Sequence, residues 1–108
     1  MTLRAAERAE RARLLRESVA SYRAALEVKT REFLPEDWAW MQESLARALK
    51  DLAKTEPPAE GLEFLREAVA AMRACLEVYT AGAAPEYHAA RVAWIAELEA
   101  EIVALEER

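Results

Sequence analysis

The chain has 108 residues and a formal net charge of −5, a length that suits one domain with a single modest core. That acidity argues against binding nucleic acid or an anionic membrane through bulk electrostatics, and no apolar run approaches the roughly 18 residues that a bilayer span needs. Alanine alone occurs 25 times, against two glycines and four prolines, so the composition reads as all-α.

The opening stretch MTLRAAERAERARLL lacks the apolar centre of a secretory signal. Cys75 is the only cysteine, so no intramolecular disulfide can form and a cytoplasmic location is expected. Arg outnumbers Lys twelve to three and Asn is absent. Such a bias fits a GC-rich bacterial genome or, alternatively, a thermophile.

Four helical segments follow in order. The spacing of Leu15, Val19, Tyr22, Leu26 and Phe33 predicts a first helix over about residues 3–32. FLPED ends it, because the residue before Pro35 is pushed out of helical geometry. Pro35, Glu36 and Asp37 suit a helix start, and Trp38, Met41, Leu45, Leu49 and Leu52 continue a second helix over about residues 36–54. TEPPAEG is the clearest linker. A third helix is expected over about residues 62–80, carrying Leu62, Leu65, Val69, Met72, Leu76 and Tyr79, with Gly82 as its cap. The fourth is expected over about residues 86–107, where Val92 and Val103 widen the stripe of Tyr87, Trp94, Ile95, Leu98, Ile102 and Leu105. A stripe that wide points to burial on two sides.

The chain repeats itself. Pairing residues 15–53 with 65–103, an offset of 50, gives 15 identities, among them Leu26/Leu76, Glu27/Glu77, Val28/Val78, Thr30/Thr80 and Pro35/Pro85. Shared helical composition does not place a proline at the same offset, so internal duplication is the better explanation.

Ser18, Tyr22, Ala25 and Pro35, and in the second copy Ala68, Met72, Cys75 and Pro85, follow a small–large–small pattern with a proline after it. Together with Leu45-Ala46, Ile95-Ala96 and PEDWAWMQESLARAL, they make the chain resemble the tetratricopeptide repeat family in a long-repeat bacterial form. The family's usual period is 34 residues; here Glu99 also departs from the pattern. The resemblance implies stacked helical hairpins, with residues 36–80 forming one complete repeat. It also implies a peptide groove lined by first helices, which falls here on Trp40, Glu43, Arg47 and Lys50. The same residues fit a plain four-helix bundle of two homologous hairpins.

Little points to catalysis. His88 stands alone, no Gly-rich phosphate loop exists, and Glu86-Tyr87-His88 has the wrong spacing for a di-iron motif. No enzyme activity, metal or cofactor is expected. Cys75 occupies a small-residue packing position and is expected to be buried and inert. Trp38 and Trp40 lie about 200° apart on a helix, so Trp38 is expected in the core. Trp40 then either packs against the neighbouring hairpin or anchors a partner. A basic pair beside it would suit an acidic or C-terminal peptide.

Charge is distributed unevenly. Residues 1–16 hold five Arg and two Glu, whereas residues 97–108 hold five Glu and one Arg. Both clusters oppose the helix dipole. Arg4, Arg8 and Arg11 are therefore expected to meet Glu97, Glu101 and Glu106, within one chain or across two. A homodimer with the fourth helix, including Trp94, in its interface is one expectation. An interaction module binding a protein or peptide partner is the leading one.

Overall fold

A computed structural model describes residues 3–108. Its elements are four α-helices, α1 (Leu3–Val28), α2 (Pro35–Ala53), α3 (Pro58–Leu76) and α4 (Pro85–Glu106), with no strand among the described residues. The architecture is all-α, built of antiparallel helical hairpins. No helix is long and apolar enough to cross a membrane among the described residues.

The duplication reappears in the backbone. Leu34 and Ala84 precede Pro35 and Pro85 in nearly the same non-helical geometry, φ −136° and ψ 66° against φ −148° and ψ 71°. Proline forbids the helical region to the residue before it and starts the next helix without needing its own N–H. In both copies a threonine carbonyl closes the turn, accepting from Leu34 N or Ala84 N at 2.9 Å.

Helix bounds differ from expectation at three places. Both α1 and α3 stop about four residues early, because the chain needs those residues to reverse direction before the proline. Phe33, expected on the α1 stripe, is consequently 86% exposed. The TEPPAEG stretch is mostly helix: Pro57 is the extended N-cap, Pro58 occupies the first turn, and Gly61 N donates to Pro57 O at 2.9 Å. Gly82 is no left-handed cap, since no described glycine has positive φ. Instead the last turn of α3 tightens, with the amides of Glu77 and Val78 bonded to the carbonyls of Ala74 and Cys75 at 3.1 Å.

Each helix packs on its sequence neighbours, and the α2–α3 interface is the most extensive. Alternate helices also meet. Arg23 pairs with Glu67 across α1 and α3, and Arg31 with Glu77 between the turns that follow them, while Glu43 meets Tyr87 and Arg91 across α2 and α4. By contrast, α1 and α4 share no extensive contact. The result is a layered slab of 50 × 32 × 20 Å.

Its core runs from Val19 on α1 through Leu49, Leu52 and Met72 to Leu98 on α4. Tyr22 and Met72 hold equivalent positions, yet Met72 is fully buried and Tyr22 only half-buried. The reason is neighbours: α3 is flanked on both sides and α1 on one. Trp38 is half-buried, under the guanidinium of Arg31 at 5.9 Å. Cys75 is fully buried, as its small-residue position predicts. Enlarging it to Leu should therefore overpack the α2–α3 seam. Cys75→Leu is expected to cost about 1–3 kcal/mol in chemical denaturation, and an unchanged midpoint would show that the site is open.

Candidate functional site

One face of the slab gathers side chains from α2 and α4. On α2, Trp40, Glu43, Arg47 and Lys50 recur at steps of three and four, which keeps them on one side of the helix. On α4, Tyr87, Arg91 and Trp94 do the same. The alternating arrangement lays these two rows side by side.

Glu43 joins them. The residue is 8% exposed, and its carboxylate accepts from three residues. Arg91 donates through Nε at 3.1 Å and Nη2 at 3.0 Å. Arg47, one turn along its own helix, donates through Nε at 3.2 Å and Nη2 at 2.9 Å. Tyr87 donates its hydroxyl. Burial alone would raise the acid's pKa, but the bonds from Arg91, Tyr87 and Arg47 outweigh it and hold the carboxyl at about 2. The sequence expectation puts Glu43 among ligand-facing residues; the structure buries it as the shared acceptor between α2 and α4.

Around that acceptor the aromatic groups are layered. The Arg91 guanidinium lies 3.7 Å over the Tyr87 ring, and Tyr87 meets Tyr79 at 4.5 Å between centroids. Burial and the hydrogen bond to Glu43 push the Tyr87 phenol well above its ordinary range, so it stays a donor. Cys75 Sγ lies 3.9 Å from the Tyr87 oxygen, and burial pushes the thiol up as well. A protonated, buried thiol is not a nucleophile. His88 directs Nδ1 to the Tyr79 carbonyl at 3.0 Å and lies on no nucleophile. Among the described residues, no three His, Cys, Asp or Glu side chains converge as a metal-binding group.

The accessible part of the face is cationic and aromatic. Arg47 and Lys50 both sit over the Trp94 ring, at 5.6 and 5.7 Å, beside a recess of about 130 Å³ lined by Arg47, Ala90, Arg91 and Trp94. Trp40 is 55% exposed on the same helix face. Trp94, expected in a self-association surface, lies on this face with its ring beneath Arg47 and Lys50. Arg4, Arg8, Arg11, Glu97 and Glu101 form no ion pair among the described residues, while Glu106 pairs with Arg66 at 2.8 Å. Because α1 and α4 do not adjoin, the expected pairing does not form within one chain.

Tyr87 and Arg91 escaped sequence reasoning. Fifty positions earlier stand Asp37 and Met41, so the duplication gave them no emphasis. No sequence signal marks them, because the burial of Glu43 that calls for donors from a neighbouring helix is itself a tertiary fact.

No family model matches the chain, and neither a curated protein nor a solved structure is significantly similar to it.

The low carboxyl pKa has a stability consequence. Its ordinary value is 4.5, so the ionised anchor stabilises the fold above that pH, and the contribution disappears as pH falls toward about 2. Glu43→Gln should cost about 1.5–3 kcal/mol near neutral pH, and the deficit should shrink steadily on acidification below about pH 4.5. Denaturant unfolding of both proteins across pH checks this; a deficit independent of pH contradicts the anchor role.

Proposed function

We propose that this chain is a non-catalytic interaction module, a degenerate tetratricopeptide-like repeat whose α2–α4 face takes an acidic peptide. One observation carries the reading: two cations, Arg47 and Lys50, flank Trp94 on a face where Trp40 is also exposed. On this face Arg47 and Lys50 stand over Trp94, whereas the Glu43 carboxylate is buried with its oxygens already bonded.

The chemistry suits a carboxylate. Arg offers a forked pair of donors and Lys a point charge, while an indole supplies flat apolar area that loses little entropy on binding. Arg47 spends two donors on Glu43, so it is held in place rather than free to rotate, and preorganisation reduces the entropic cost of association. The repeat reading draws support from the two identical proline-led turns, from the alternate contacts of α1 with α3 and α2 with α4, and from the open edge between α1 and α4. A cytoplasmic scaffold or adaptor of bacterial origin is the setting this reading implies. A second reading, a homo-oligomer, is favoured by the basic start of α1 and the acidic end of α4.

Short labelled peptides, one rich in Glu and Asp and one rich in Lys, test the groove by fluorescence anisotropy. The acidic peptide is expected to bind and the basic one not. Lys50→Glu and Trp40→Ala should each weaken binding by about tenfold, or about 1.4 kcal/mol, without loss of helical circular dichroism. Equal binding of both peptides, or indifference to both substitutions, would refute the assignment.

A further inference from the structure

The stack is unfinished at one edge. A groove of about 310 Å³ runs between α3 and α4, lined by Arg66, Val69, Arg73, Glu99, Ile102 and Val103. Fifty positions earlier these residues are Arg16, Val19, Arg23, Leu49, Leu52 and Ala53, and the four apolar ones are buried. Leu49 is fully buried and Ala53 9% exposed, because α3 lies against them. Their counterparts are open: Val103 is 50% exposed and the Glu99 side chain 51%. The helix equivalent to the missing cover is α1, whose residues 15–28 repeat residues 65–78 of α3 at ten of fourteen positions.

We propose that the α3–α4 groove receives α1 of a second copy of this chain, so that copies add head to tail. The face of α1 this requires is uncovered. Leu14, Ser21 and Val28 are exposed, whereas their equivalents, Phe64 and Ala71 on α3 and Val78 just after it, are buried or half-buried. A charge pair fixes the register. Arg23 of α1 donates to Glu67 of α3, Nε to Oε2 at 3.1 Å; one repeat further on, the same two residue types are Arg73 and, in the next copy, Glu17. Among the described residues, Arg73 has a 3.4 Å pair with Glu99 and no other, and Glu17 pairs with Arg13 on its own helix alone.

The ends complement each other as well. Packing on the pattern of α2 on α3, but wider where Arg11 replaces Gly61 and Val103 replaces Ala53, brings the acidic end of α4, with Glu101 and Glu107, beside Arg8 and Arg11 of the next copy. Those two arginines are exposed and form no ion pair among the described residues. Cations at a helix N-terminus and anions at a C-terminus are each unfavourable alone, and the junction relieves both. Glu99, standing where α2 has Leu49, puts a carboxylate into the seam. The junction is therefore weaker than the α2–α3 interface. The two surfaces differ, so the contact is heterologous and copies extend as a chain rather than closing as a pair.

This inference rests on the repeat reading but not on the peptide groove, which lies on the other side of α4. Weight-average mass against concentration at low salt, by sedimentation, tests it. Mass is expected to rise past two copies without a plateau. Val103→Arg, at a half-exposed position that leaves the fold intact by circular dichroism, should raise the concentration needed by at least tenfold; Glu99→Leu should lower it. Arg73→Glu and Glu17→Arg should each weaken assembly about fivefold, and their equal mixture should regain it. A wild type that stays monomeric at high micromolar concentration overturns the proposal, as does a plateau at two copies or a mixture no stronger than its components. A monomer that still binds the acidic peptide would overturn this inference alone.

Discussion

Everything else in the fold is mounted on the seam between α2 and α3. Ala39, Ala46 and Ala53 recur every seven residues on α2, and Gly61, Ala68 and Cys75 do so on α3. All six are buried. A Cβ placed on Gly61 would stand 3.1 Å from the Ala53 carbonyl oxygen, so the helix backbones approach as closely there as side chains permit. Small residues allow that approach, and Leu49, Leu52, Leu65 and Met72 fill the flanks. With the central pair fixed, α1 and α4 each find one prepared surface.

The placement of α4 is then set by polar as well as apolar burial. Ile95 and Leu98 enter the core from one side, and Glu43 recruits Tyr87 and Arg91 from the other. A buried carboxylate is costly unless its oxygens are satisfied. Here every buried side-chain polar atom among the described residues has a partner, and the shared acid leaves α4 little freedom to slide along α2. Rigidity on that face is what positions Arg47 and Lys50 against Trp94, so the buried carboxylate of Glu43 and the proposed binding face are joined.

Much of the architecture was legible in the sequence because proline and small residues act locally. Pro35 and Pro85 mark two helix starts through backbone sterics alone, and Cys75 announces its burial by standing at a small position of the repeat. Gly82 misled, since an Ala-rich turn closed by Thr80 needs no left-handed residue. The double proline misled too, for Pro58 initiates a helix as readily as it interrupts one. The candidate site was half legible. Trp40, Arg47 and Lys50 share a helix face that periodicity reveals, whereas Arg91 and Tyr87 join them only through the alternation of α2 with α4, a tertiary fact. The expected meeting of Arg8 with Glu101 fails within one chain for the same reason: charge marks which ends are complementary, not which helices adjoin.

If the α2–α3 seam is the foundation, it should open last. Native-state hydrogen exchange reads this directly, residue by residue. The slowest amides are expected in α2 and α3, around Ala46, Leu49, Ala68 and Met72, with opening free energies equal to that of global unfolding. Amides of α4 should exchange sooner, and those of the exposed first turns of α1 soonest. Protection in α1 or α4 that equals or exceeds that of the central pair would contradict the account.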